Sequence, residues 1–292
     1  QWLIANKLKV KEKRNKSNWQ KILNLNNYSL SLQLLRLSCL FDIFLMIYID
    51  LNENRVRRLS FYLAMEEWVA RHMDEPECFF MWQVEPSVIF GRNQDIYSEV
   101  NLDYCRQHGI QFYRRKSGGG CVYADMSNVM LAYITTADEA QTTFEHYMKM
   151  IVGVIKKMGI GASWTEHNDI MIGDRKVSGN AFYHLTTTLG GRTVGRSIVH
   201  GTFLYDTNME NMVASITPSD EKLIKHGVQS VRQRICLFKD FTTMTFPEVR
   251  AFFRNNLTDK AVTLTPEQIN EIEELEKEYL KPEWIFGKNP NH

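Results

Sequence analysis

The chain has little of what would place it in several large functional classes. Its 292 residues hold five cysteines, Cys39, Cys78, Cys105, Cys121 and Cys236. The count is odd and no pair has CxxC spacing, which argues against a disulfide scaffold and a zinc site and favours a reducing compartment such as the cytoplasm. Net charge is only +1, so there is no broad electrostatic footprint for nucleic acid. Residues 30–49 are strongly apolar but contain Arg36 and Asp42. A membrane span takes about 20 residues with few or no charges, so a membrane anchor is not expected. The same stretch lacks a clean small-residue cleavage site, which counts against a signal peptide. There is no Gly-x4-Gly-Lys-Ser/Thr phosphate loop and no GxGxxG opening a helix. Residues 46–292 contain no repeat and no low-complexity segment.

What remains is an ordinary globular composition, 44% hydrophobic and 24% charged, in a chain long enough to bury a substantial core. The charge is uneven. Residues 1–45 carry eight basic and two acidic side chains, a net of +6, leaving −5 on the other 247 residues. With the change of composition at Met46, this divides the chain into an N-terminal extension (1–45, with a targeting segment as the alternative), a main domain (46–240) and a short helical C-terminal segment (241–292).

Periodicity fills in the main domain. Leu59, Tyr62, Leu63, Glu66 and Val69 keep helical spacing over Leu59–Met73. Phe79–Val84 and Ser87–Phe90 read as two strands joined at Glu85-Pro86, which predicts a hairpin. Leu102–His108 is a short helix stopped by Gly109. Apolar residues from Phe144 to Met158 mark a long core helix. His167–Ile172 and the run from Lys176 are strands turned by Gly173-Asp174-Arg175, a tight-hairpin signal that places Lys176 on a returning strand. Thr186–Gly195, with its two glycines, reads as a mobile loop. Ile198–Leu204 is another strand, and Thr265-Pro266-Glu267-Gln268 opens a capped helix. Many short strands with a few helices predict an α+β fold.

The most informative stretch is Arg114-Arg115-Lys116-Ser117-Gly118-Gly119-Gly120-Cys121-Val122-Tyr123-Ala124-Asp125. Three successive glycines let a ligand approach the backbone closely, and free N–H groups in such a run cradle anions. The arginines add charge in a geometry suited to phosphate or carboxylate. Read alone, the stretch is equally a hairpin loop with a surface basic pair. Three further stretches accompany it in a set order, Glu85–Gln94 before it and His167–Ile170 with Arg175–Ala181, then His200-Gly201-Thr202, after it. Together these resemble the lipoate–protein ligase family over roughly residues 46–240, and Trp284–Lys288 extends the match.

That resemblance implies the biotin/lipoate ligase catalytic fold, related to class II aminoacyl-tRNA synthetases. It also implies two-step chemistry: activation of lipoate by ATP, with Mg²⁺, to lipoyl-AMP, then transfer to a lysine of a lipoyl domain. Lys176 matches the family's functional lysine, where its charge offsets repulsion between carboxylate and phosphate. Arg115 and the backbone from Gly120 to Tyr123, within the loop Ser117, Gly118, Gly119, Gly120, Cys121, Val122 and Tyr123, are the expected phosphate binders. Asn168 and Asp169 are expected nucleotide contacts, with Asp169 the candidate Mg²⁺ contact. His167 and His200 are expected to be structural. Acceptors would be lipoyl domains of 2-oxoacid dehydrogenase complexes or the glycine cleavage H protein.

The alternative is an octanoyl or lipoyl transferase of the same fold, ATP-independent or using lipoyl-AMP made elsewhere. Such enzymes use a cysteine thiolate and carry Thr-Gly-Gly-Arg where this chain has Ser-Gly-Gly-Gly. Cys121 then reads as a small apolar filler, and the ligase is favoured over both the transferase and a non-catalytic carrier-binding module. Family ligases continue past the Trp284 region into an accessory domain. The expectation is that the short tail suffices for slow activation, against the need for a separate accessory protein.

Overall fold

Runs rich in Val, Ile, Phe and Tyr pair into two sheets, and helices cover both faces of the larger one. The computed structural model describes residues 46–136, 139–216 and 231–287. The expectations for residues 1–45 lie outside the described residues.

The chain opens with β1 (Ile47–Asp50), helix α1 (Leu59–His72) and β2 (Glu77–Trp82), with β1 and β2 parallel. Parallel neighbours need such a crossover. Next come β3 (Ser87–Phe90), the short helices α2 (Ile96–Glu99) and α3 (Leu102–Gln107), and β4 (Gln111–Arg114), which lies parallel to β3. Then follow β5 (Val122–Ala124), β6 (Val129–Thr135), helix α4 (Ala140–Lys157), β7 (Ala162–Trp164), β8 (Asp169–Ile172), β9 (Arg175–Leu189) and β10 (Arg192–Phe203). After α5 (Met209–Ser215) and α6 (Val231–Arg234) come α7 (Phe246–Leu257), β11 (Lys260–Thr263), α8 (Pro266–Tyr279) and α9 (Pro282–Ile285). The large sheet has the order β11-β1-β2-β6-β10-β9-β8-β7, and the small one β4-β3-β5. The architecture is α+β, as expected.

Side-chain alternation along β9 and β10 assigns the two faces. Phe182 meets Phe144 of α4, whereas Tyr183 and His200 face α1. Helix α1 is buried along Leu59–Ala70, as a helix enclosed by other elements must be. It is covered by α8, through bonds from Trp68 to Glu271 and from Ser60 to Glu276. Among the described residues no helix is long and apolar enough to cross a membrane.

Three expectations are corrected. Trp82 and Ser87 do not join a hairpin. β2 pairs with β1 and β6, and β3 with β4 and β5. Both strands are apolar almost without alternation, the mark of central strands with neighbours on either side. Pro86 therefore carries the chain from one sheet to the other. Thr186–Gly195 is not a loop. β9 and β10 run as a ladder closed at Leu189↔Arg192 by Gly190 and Gly191, with φ +54° and +76°. Two successive positive φ values make a tight turn that preserves register, and the threonines before it favour a strand. Segment 241–292 is more than helical: β11 pairs with β1 at the sheet edge.

Phe203, fully buried, meets Phe238 at a tilt and Phe253 edge-on, with centroids at 4.9 and 5.1 Å, and so joins β10 to α7. Phe203→Ala is expected to cost about 3–5 kcal/mol, measured by urea denaturation.

Candidate active site

The glycine loop links β4 to β5, which lie on opposite sides of β3. It therefore crosses over the end of β3 rather than closing a hairpin, and its arginines are buried rather than on the surface: Arg114 is 6% and Arg115 5% exposed. Arg115 donates from Nη1 to the Ile89 carbonyl, from Nη2 to the carbonyls of Gly118 (2.7 Å) and Gly120 (2.8 Å), and from Nε to Ser117 Oγ (2.9 Å). Burial lowers its guanidinium to about 10, so it remains cationic at neutral pH. A peptide's C=O and N–H point in opposite directions. Drawing the Gly118 and Gly120 carbonyls onto Arg115 thus turns the N–H groups of Gly119 and Cys121 the other way. Gly119 has φ +92°, and the chain at Gly91 passes so close that a Cβ there would lie 2.0 Å from the Gly119 carbonyl oxygen.

Ser117 extends this network. His200 Nδ1 lies 2.6 Å from Glu66 Oε2, a carboxylate oxygen that accepts, so Nδ1 carries a proton; in the neutral ring Nε2 then accepts from the Ser117 hydroxyl at 2.7 Å. The network thereby fixes the histidine tautomer. All three side chains are buried. Lys116 pairs with Glu67 at 2.5 Å, and Glu67 also accepts from Arg71 and from the Tyr279 hydroxyl. Burial would push the Glu67 carboxyl up, but these partners together hold it below the usual range.

Lys176 stands on β9 where register slips by one residue: Ile170 faces Ser178 but Met171 faces Lys176. Its Nζ pairs with Asp169 Oδ1 at 2.8 Å. It folds over Gly179, where a Cβ would lie 2.5 Å from that nitrogen. The backbone is held by Cys236, whose N–H donates to the Lys176 carbonyl. Asn168 has φ +63°, and its carbonyl accepts from Asn180 Nδ2 at 2.8 Å.

These groups meet around a cleft of about 450 Å³, within the usual range for a ligand pocket. One register row crosses it: Trp82↔Met130↔Thr202↔Gly179↔Asp169. At about 4.8 Å per strand spacing, the row is roughly 19 Å long. Trp82 and Met130, with Leu63 and Ile89 beside them, make one end apolar; Asp169 and Lys176 make the other charged. The cleft therefore suits an elongated ligand with an apolar tail and an anionic head.

Of the residues singled out from sequence, Arg115, Gly119, Gly120, Cys121, Val122, Tyr123, Asp169 and Lys176 line the cleft. Ser117, Gly118 and Asn168 are not on its wall, and Asn180 lines it in place of Asn168. His200 does more than pack: it is on the wall and carries the link from Glu66 to the loop. Glu66 was hidden within the helical stripe Leu59, Tyr62, Leu63, Glu66, Val69, where a lone carboxylate at a core-facing position was the signal. Among the described residues no group of three or more His, Cys, Asp or Glu side chains could hold a metal ion.

The family model of the lipoyl protein ligase A/B catalytic domain matches residues 59–258. A lipoate–protein ligase of Bacillus subtilis (strain 168) is 29% identical over 260 residues, covering 84% of this chain and 75% of the relative. Two solved structures share the fold. One is a bipartite lipoate protein ligase from Thermoplasma acidophilum, described with its E2 lipoyl domain, with a TM-score of 0.70, 24% identity, and coverage of 82% of this chain and 96% of that chain. The other is a lipoate–protein ligase A bound with ATP, with a TM-score of 0.70, 23% identity, and coverage of 83% and 99%.

Asn180 leaves no room at position 201, where a Cβ would lie 1.9 Å from its Oδ1, whereas nothing lies within 4 Å of one at Gly118. Gly201→Ala is expected to lower stability by about 1–3 kcal/mol, and Gly118→Ala to leave it unchanged within about 0.5 kcal/mol, both read by denaturant titration.

Proposed function

The chain belongs to the lipoyl protein ligase A/B catalytic-domain family, and from that premise we propose that it is an ATP-dependent lipoate–protein ligase. The observation that carries the reading is the register row running from Trp82 to Asp169, with the Lys176 ammonium at its charged end. The apolar tail of lipoate lies against Trp82, Leu63, Ile89 and Met130. Its carboxylate then reaches Lys176 beside the glycine loop.

In the first step a carboxylate oxygen attacks the α-phosphorus of ATP, the bond to the β-phosphate breaks, and pyrophosphate leaves. Lys176 offsets the repulsion between the two anions and stabilises the charge that builds up between them. Asp169, at 2.8 Å, aims its ammonium. The N–H groups of Gly119 and Cys121 donate to phosphate oxygens, and the buried charge of Arg115 favours an anion above the loop. In the second step an acceptor lysine amine attacks the acyl carbon, loses a proton to solvent and expels AMP.

Asp169 is the residue that would hold Mg²⁺ together with the nucleotide, since Mg²⁺ commonly takes one or two carboxylates plus phosphates and the described residues offer no cage of three or more ligands. When bound, Mg²⁺ neutralises phosphate charge. The proposed acceptors are lipoyl domains of 2-oxoacid dehydrogenase complexes and the glycine cleavage H protein, and the proposed compartment is the cytoplasm.

Three of the four described cysteines are unsuited to be the transferase's nucleophile. Burial pushes the Cys78 thiol up to about 12 and Cys105 to about 11, and raises Cys236, so none of these is a ready thiolate. Cys121 alone among them lines the cleft. Cys121→Ala is expected to change activity only modestly. Complete loss, with an acyl thioester trapped on the wild-type chain, would establish the transferase instead.

The ligase itself is tested with purified chain, lipoate, Mg-ATP and an apo lipoyl domain, following pyrophosphate release and acceptor mass. Modification is expected without other proteins, and Lys176→Ala is expected to lose about 10²–10³-fold in adenylate formation while remaining folded. Modification only from synthetic lipoyl-AMP would overturn the self-sufficient ligase in favour of an accessory protein or a lipoyl-AMP-dependent transferase.

A further inference from the structure

The three cations before the glycines, Arg114, Arg115 and Lys116, are held by different parts of the molecule. Arg115 is bound mainly by the loop itself, whereas Arg114 is bound by the C-terminal tail and Lys116 by Glu67, a carboxylate it shares with Tyr279 of that tail. Arg114 donates from Nε to the carbonyls of Trp284 (2.8 Å) and Ile285 (3.1 Å), and the Trp284 indole N–H donates back to the Arg114 carbonyl (3.0 Å). On its other side Arg114 donates from Nη1 to the carbonyls of Arg92 (2.9 Å) and Gln94 (2.7 Å), joining the loop that begins at Gly91, against which Gly119 rests. Lys116 binds Glu67 Oε2, the same oxygen that accepts from the Tyr279 hydroxyl, and its ammonium sits 5.0 Å from the Tyr279 ring centroid.

Apolar contact is only part of this docking. Trp284 packs against the main core and meets Tyr279 edge-on, and Ile285 and Phe286 pack against the smaller core, but no residue of α9 is fully buried, and the reciprocal pair of bonds with Arg114 gives the contact its direction. A helix that packed only for burial would turn its ring inward and leave the backbone of β4 to its sheet. Here the last turn of the described chain spends its directional contacts on the residue three positions before Ser117.

We propose that Trp284, supported by Tyr279, is a positioning residue that latches the glycine loop in its anion-binding conformation, so that the tail sets how well the site holds the phosphates of a nucleotide. The latch acts on the loop and not on the apolar end of the cleft, whose walls Leu63, Trp82 and Met130 come from α1, β2 and β6. It rests on the ligase reading for the identity of the nucleotide, but its geometry does not.

Two variants of the full chain test it. Trp284→Phe keeps an aromatic ring beside Tyr279 and removes the indole N–H; Trp284→Ala removes both. Hydrogen–deuterium exchange is expected to accelerate in peptides covering 91–94 and 115–122 and to stay unchanged in those from β6, β10 and α4. In the pyrophosphate assay Trp284→Phe is expected to raise KM for ATP about fivefold, the usual scale for one lost hydrogen bond. KM for lipoate and kcat at saturating ATP should stay within about twofold, and Trp284→Ala should act more strongly in the same direction. Unchanged loop exchange in both variants would overturn the proposal. So would acceleration spread over the whole chain, or equal rises in KM for ATP and for lipoate. Exchange needs no turnover, so a wild-type chain that released no pyrophosphate would sink the ligase reading while exchange still decided the latch.

Discussion

A cation shut beneath a glycine loop is the constraint on which the rest of the site depends. A buried guanidinium needs acceptors for its donors, and Arg115 takes its acceptors from Ile89, Ser117, Gly118 and Gly120. That demand fixes the loop's peptide orientations and explains its composition. Residues 118 and 120 must turn their carbonyls inward, residue 119 must adopt φ +92°, and the chain at 91 must come within backbone contact of 119. Side chains would obstruct the second and third requirements. The positive charge then favours a negative ligand on the cleft side. Structure and binding are two consequences of one desolvated charge.

The loop is also where separate parts of the molecule meet. Through Ser117 it touches His200 on β10 and, beyond it, Glu66 on α1; through Lys116 it touches Glu67 on α1 and, beyond it, Tyr279 on α8. Successive residues of α1, Glu66 and Glu67, thus serve opposite sides of the same loop. Helix α1 is buried almost throughout, so these carboxylates are held by a rigid element and cannot drift. Positioning of this kind puts the precision of the site on helices and strands, with the loop itself carrying few independent degrees of freedom.

Much of this was legible in the sequence, for reasons that differ between segments. The glycine run and the Gly173-Asp174 turn are local signals whose meaning survives without tertiary context, so the loop and the placement of Lys176 on a returning strand could be read directly. The β2–β3 hairpin could not. A proline between two apolar runs fits a turn within one sheet or a crossing between two, and only pairing partners elsewhere in the chain decide. Gly190-Gly191 misled in the other direction, because two glycines suit either a mobile loop or the tightest of turns. Glu66 and His200 were hidden because each sits in an otherwise core-like pattern. Their meaning lies in a contact 134 residues apart in sequence, which periodicity does not report.

The slipped register between β8 and β9 has a consequence of simple parity. On a pleated strand, residues three apart point to opposite faces. Lys176 and Gly179 are three apart, yet the space above Gly179 is filled by the Lys176 amine, because Val177 is an extra residue that β8 does not match. The bulge restores an even count. Were the three-residue spacing kept but the bulge flattened, the lysine would turn through the sheet toward α4, leaving Asp169 without its counter-charge. The chemistry of the cleft therefore depends on one residue that pairs with nothing across the ladder: Val177, by being surplus, keeps its neighbour on the correct face.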